Sequence, residues 1–170
     1  VGISQLSRFR PDGTNILDRD WDLLIVLDAC RLDLMQEAAS DRSFIEGVDD
    51  VWSVNSATET WMEATFPCRS ETSETAYVCG NPFSETMLDP SWFSDLSEVW
   101  RDAWTDPGTV PPRAITNETI KAMREGRGDR YIAHYMQPHC PFLSSPELSD
   151  GKNLGEFGDQ DHRDVWELYR

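Results

Sequence analysis

The chain predicts an α/β fold, a mainly parallel sheet flanked by helices, and three observations carry that expectation. Leu23-Leu24-Ile25-Val26-Leu27 is an apolar run with no polar interruption, of a length that suits a strand covered on both faces. Strand-like and helix-like segments then alternate along the chain, the pattern of parallel strands joined by crossover helices. The strand ends present an acid, a hydroxyl-rich turn and a histidine, at the carboxyl edge where open α/β sheets collect ligands. With 170 residues, a single domain over 1–170 with one sizeable core is expected.

In chain order, Val1–Arg19 is a lead-in with a Pro11-Asp12-Gly13 turn. After the first strand, Ala29–Glu37 reads as the start of a helix that buries Leu32, Leu34 and Met35, with Arg31 and Asp33 beside the strand-end crevice. Asp50-Val51-Trp52-Ser53-Val54 predicts a short second strand. Asn55–Phe66 follows as a turn into a helix, hydroxyls first and Trp61, Met62 and Phe66 at helical spacing. Thr75–Cys79 predicts a third strand ending at Gly80-Asn81-Pro82. The aromatic stretch Ser91–Trp104 suggests a short helix or a cover over a site. Arg113–Arg124 carries Ile115, Thr119, Ile120 and Met123 on one stripe and predicts a helix. Arg130–Met136 predicts a further strand, with His134 on its buried side as a structural residue. Leu143–Asp161 reads as an exposed loop or lid, and His162–Arg170 as helix. The lack of Met at position 1 and the helical pattern still running at Arg170 lead to the expectation of an excerpt from a longer protein.

Asp and Glu number 31 against 15 Lys and Arg, a formal charge of −16. An excess dispersed along the chain disfavours a bare phosphate backbone, so no nucleic-acid partner is expected. It suits high salt, where screening acts within about 3 Å at 1 M, and points to a halophile. No apolar run approaches the roughly 18 residues of a membrane span, and no leader is evident. Cys30, Cys68, Cys79 and Cys140 form no C-x-x-C pair, which fits a reducing, cytoplasmic setting rather than a disulfide framework.

Three places bear chemistry. Asp28 directly follows the apolar run, where it either caps the next helix or holds a metal ion on a rigid strand end. Ser56, Thr58 and Thr60 sit at a helix start, where a hydroxyl is either an N-cap or a nucleophile beside backbone N–H groups that favour an anion. His139 lies between Pro138 and Pro141 after a strand, held extended with its ring turned outward.

These stretches resemble the alkaline phosphatase superfamily, in its sulfatase-like branch, and most closely the sulfatase-like proteins of haloarchaea. Leu23–Asp33, LLIVLDACRLD, is similar to the family's first strand, whose terminal Asp binds the catalytic metal; the resemblance gives that role to Asp28. Val51–Phe66 resembles the nucleophile segment, and Thr58 is the position matched to a threonine nucleophile and metal ligand, with Ser56 and Thr60 as alternatives. Tyr131–Phe142, YIAHYMQPHCPF, resembles a strand followed by Asp-Pro-His-x-Pro-Tyr. His139 falls on that histidine, which contacts metal or substrate oxygens, while Gln137 and Phe142 depart from the pattern. No Cys-x-Pro-x-Arg motif is present, and Asp161-His162 is not the family's Asp-His-Gly, so the resemblance covers the amino-terminal part of the family domain.

What the resemblance implies is a metal-dependent hydrolase or transferase acting on small-molecule or glycan phosphate or sulfate esters. Thr58 would attack, Asp28 and Thr58 would hold a divalent metal, zinc first with Mn²⁺, Mg²⁺ or Ca²⁺ as alternatives, and His139 and Arg31 would meet the substrate. The rival expectation is a non-catalytic α/β domain that binds an anion or a protein partner.

Overall fold

A computed structural model describes residues 13–66 and 71–145. In chain order the elements are β1 (Leu23–Leu27), α1 (Leu32–Ser40), α2 (Thr58–Thr65), β2 (Thr75–Cys79), α3 (Ser84–Met87), β3 (Asp95–Glu98), α4 (Trp100–Ala103), α5 (Pro112–Glu125) and β4 (Arg130–Tyr135). The strands form one sheet in the order β1-β4-β2-β3, and every pairing is parallel. This is the α/β class that the alternating pattern predicts. The loop expected from Leu143 to Asp161, beyond residue 145, and the helix expected at His162–Arg170 lie outside the described residues.

Both faces of the central strands are sealed. On one side Ala76 and Val78 of β2 and Ala133 of β4 pack with Ile115 and Ala122 of α5, Trp100 and Val110. On the other, Tyr77 and Cys79 of β2 and Ile132 of β4 meet Met62 and Phe66 from α2, with Leu88 and Phe93. Phe66, Tyr77 and Phe93 form an aromatic triangle with ring centroids 5.3–5.5 Å apart, a spacing at which edge-to-face contacts add to burial. α5 stops at Gly126, whose φ of 62° supplies the left-handed cap that glycine adopts without a Cβ clash. The chain then turns directly into β4.

β1 differs, and here an expectation fails. As the edge strand it buries Leu24 and Val26 on the α2 side, but Leu23, Ile25 and Leu27 remain 38, 53 and 38 % exposed. The cause is reach: α5 packs on β4 and β2, and β1 lies one strand beyond. α1 begins at Leu32 rather than Ala29 and buries none of its residues fully; Leu32 and Leu34, expected in the core, are 43 and 44 % exposed.

Two further expectations are corrected. Asp50–Val54 is no strand: Ser53 makes a single bridge to Thr14, and Val51 and Trp52 are more than half exposed. Ser91–Trp104 is not one helix but the end of a 3₁₀ turn, then β3 and the short α4. β3 escapes a hydrophobicity reading because its sequence, DLSE, is polar. Its charges are matched instead: Arg127 reaches Asp95 at 3.4 Å and Glu118 of α5 at 2.7 Å, while Glu98 accepts from Ser84 at 2.6 Å and from Arg101 at 2.7 Å.

Candidate active site

Asp28 extends the β1–β4 ladder one step past the strand: its N–H donates to the Tyr135 carbonyl at 3.2 Å, and its own carbonyl accepts from the His139 N–H at 3.0 Å. The next residue, Ala29, has φ 59°, a left-handed conformation that costs an L-residue roughly 1–2 kcal/mol. Such local strain persists where surrounding contacts enforce it, and it is concentrated at functional sites. The sharp turn leaves the Asp28 side chain at the strand end.

That carboxylate is not a helix cap. The N-cap position of α1 is Arg31, with no side-chain capping bond. The Asp28 oxygens accept instead from the Thr58 hydroxyl, at 3.2 and 3.3 Å, and from the Asn81 amide at 3.0 Å. Thr58 is not a cap either, since it is the first residue of α2 and Ala57 holds the N-cap position without a side-chain bond. Its hydroxyl therefore stands at the positive end of the helix, turned to a carboxylate thirty residues earlier in the chain. The alternatives are engaged elsewhere or solvated: Thr60 donates to the Ala57 carbonyl at 3.2 Å, and Ser56 is exposed.

Asp28 and Thr58 open into a pocket of about 260 Å³ whose walls include Asn55, Ser56, Trp61 and His134. A larger depression of about 430 Å³ is lined, among the described residues, by Asn117, Ile120, Lys121, Arg124 and Glu125 of α5.

Sequence reasoning missed what supports the pocket from below. Asn81 is 1 % exposed; its Oδ1 accepts from the Phe83 N–H at 3.0 Å, which fixes its amide to donate to Asp28. The available signal was its place just after β2, a strand-end position like that of Asp28, hidden inside a Gly-Asn-Pro turn. His134 is 1 % exposed, which fits the structural role read from its alternation, yet it also lines the pocket. Its Nδ1 lies 2.7 Å from the Tyr77 hydroxyl; the Tyr77 ring stacks on it at 6.1 Å and Trp61 meets it edge-on at 5.7 Å. Burial pushes the His134 pKa down, with the Asp28 charge pulling the other way. Burial also pushes the Cys79 thiol up to about 12, which keeps it protonated and unreactive as a nucleophile.

His139 is tied to Asp28 through its backbone. Its ring is outside the pocket walls, with Nδ1 2.6 Å from the Cys140 carbonyl. Burial works against the charged ring, but the Cys140 side chain and then the Asp28 carboxylate outweigh it, and the pKa is raised to about 9. Arg31 is not brought to the pocket: its guanidinium is forked onto Asp33, Nε to Oδ1 at 2.9 Å, and both side chains are more than half exposed.

No family model, curated protein or solved structure matches the chain. No helix among the described residues is long and apolar enough to cross a membrane. The described residues hold no group of three His, Cys, Asp or Glu that would bind a metal ion. What they offer a divalent cation is a carboxylate and a hydroxyl that converge on one pocket, hard oxygen donors of the type such ions take. Asp28 and Thr58 fit as two ligands of a coordination shell.

Proposed function

We propose that this chain acts on phosphate or sulfate esters as a metal-dependent hydrolase or transferase with Thr58 as its nucleophile. One observation carries the reading: the Thr58 hydroxyl donates to the Asp28 carboxylate across the mouth of a pocket, at 3.2 and 3.3 Å, while neither residue caps a helix. A cap hydroxyl would be spent on its own helix; this one is oriented toward a base. A bound divalent cation would lower the hydroxyl's pKa and offset the charge that builds on the ester oxygens.

In this reading Asp28 orients Thr58 Oγ1 and draws off its proton as the oxygen attacks phosphorus or sulfur. The bond to the leaving alcohol breaks as that to Thr58 forms, and the N–H groups of the first turn of α2 face the oxygens that gain charge. His139, protonated at neutral pH with a pKa near 9, supplies the leaving oxygen with a proton once its ring turns to the pocket. Water, or an acceptor alcohol in a transferase, then cleaves the ester on Thr58 and returns the hydroxyl. The second reading, a non-catalytic domain that binds an anion, draws on the same pocket and on the partial set of metal donors.

Hydrolysis of an aryl phosphate and an aryl sulfate by Thr58→Ala separates the two. The account expects turnover to fall by about 10² or more with a stability loss of about 1 kcal/mol, the value of one hydrogen bond, and Thr58→Ser to retain activity. Undiminished turnover in Thr58→Ala removes the covalent mechanism.

A further inference from the structure

The proposed reaction uses Asp28, Thr58 and His139, and leaves a buried histidine in the wall of the same pocket without a task. His134 is more deeply buried than any of the three. It is 1 % exposed, lies on β4 between its parallel neighbours β1 and β2, and has its ring fixed by the stacked Tyr77 and the edge of Trp61. Nδ1 is engaged by the Tyr77 hydroxyl at 2.7 Å. Nε2 is then the nitrogen left to the pocket that the ring lines together with Asp28 and Thr58.

A histidine with one nitrogen anchored to a buried partner and the other turned to a carboxylate-lined pocket has the build of a metal ligand. The anchoring bond fixes the ring plane, and the phenolic oxygen can accept from Nδ1–H. With Nδ1–H donating to the phenolic oxygen, Nε2 carries the lone pair. A metal ion takes the neutral ring. A purely structural histidine would have no need to share a pocket with a carboxylate and a hydroxyl that already point at each other.

We infer that His134 Nε2 is a third protein ligand, which with Asp28 and Thr58 forms a site for a divalent cation that accepts imidazole. The inference rests on the proposed metal-dependent reading and narrows it. A nitrogen ligand favours Zn²⁺ or Mn²⁺ over Mg²⁺ and Ca²⁺, which prefer all-oxygen shells. Tyr77 becomes the positioning residue that aims the ring.

The test is calorimetric titration of the protein with Zn²⁺ alone and with Ca²⁺ alone, and long-range proton–nitrogen NMR of the imidazoles. The chain has only 3 histidines, so their nitrogens are separable. On Zn²⁺ addition the His134 Nε2 resonance should move to the metal-bound range while Nδ1 stays near its starting value, and Ca²⁺ should leave both in place. Tyr77→Phe should weaken Zn²⁺ binding by about 10- to 100-fold, the usual effect of losing a partner behind a ligand, and His134→Leu should weaken it further. The wild-type NMR result stands even if either variant fails to fold. If Asp28→Asn loses Zn²⁺ affinity while His134→Leu keeps it and Nε2 does not move, the inference is overturned and the two-ligand reading remains. If Zn²⁺ binds wild type and Asp28→Asn equally, or binds neither, both are overturned.

Discussion

β1 and β2 are strands of equal length, LLIVL and TAYVC, and β1 is the more aliphatic, yet every residue of β2 is buried and β1 alternates between half-covered and exposed. The difference is position. β2 lies inside the sheet, between β4 and β3, with α5 on one face and α2 on the other; β1 has β4 on one side and no partner strand among the described residues on the other. An apolar run therefore declares a strand without declaring its place in the sheet. The active-site candidates straddle this divide. Asp28 comes from the thinly covered edge, whereas His134, Tyr77 and Asn81 come from the sealed centre, and the Asn81 and Thr58 side chains tie the one to the other.

The contrast is broken or sharpened most strongly by truncating one isoleucine from each region. Ile132→Ala, at 0 % exposure, should cost about 2–5 kcal/mol in denaturant unfolding. Ile25→Ala, at 53 % exposure, should stay within about 0.5 kcal/mol. Equal losses would mean that the outer face of β1 is covered in the native protein.

A smaller effect, on the seam itself, is expected from pH. The His139 pKa is raised to about 9 from an ordinary value near 6.5, so the folded state binds the proton more tightly than the unfolded chain. The stability this confers is complete below about pH 6.5 and is lost as pH rises through about 9. Melting curves from pH 6 to 10 should show a decline in the wild type that is flattened in His139→Gln. Parallel declines would mean that the His139 pKa is not raised in the folded state.

The smallest effect concerns the turn that aims Asp28. Ala29→Gly removes the left-handed penalty at φ 59° and should stabilise the fold by up to about 1 kcal/mol. A loss of stability would show that the Ala29 methyl group, not the backbone angle, matters there.

The fold was legible where local pattern and tertiary setting agree. β2 was expected at its observed bounds, and α5 and β4 to within one residue at either end, because Ile115 and Ala122 of α5 and Ile132 of β4 meet covered faces, although Ile120 and Met123 of the expected α5 stripe stay 42 and 43 % exposed. Asp50–Val54 misled because Val51, Trp52 and Val54 are strand formers by type, yet Val51 and Trp52 find no cover and only Ser53 makes a bridge. β3 was invisible because an edge strand held by backbone pairing and by Arg127 needs little apolar content. In the site, Asp28 and Thr58 were readable from strand and helix ends. Arg31, expected beside the crevice, has its guanidinium on the nearby Asp33. The support given by Asn81 and Tyr77–His134 depends on strand order, which brings residues more than fifty positions apart into contact, and no local pattern encodes that.

The central claim is that Asp28 and Thr58 act as one unit, and a double-mutant cycle on kcat/KM for an aryl phosphate or sulfate ester tests it most directly. Asp28→Asn and Thr58→Ala should each reduce the rate by about 10² or more. The double variant should be no worse than the more damaged single one, because residues that share a step are not additive. Independent, multiplying losses would contradict the account, and so would a single variant that retains the wild-type rate.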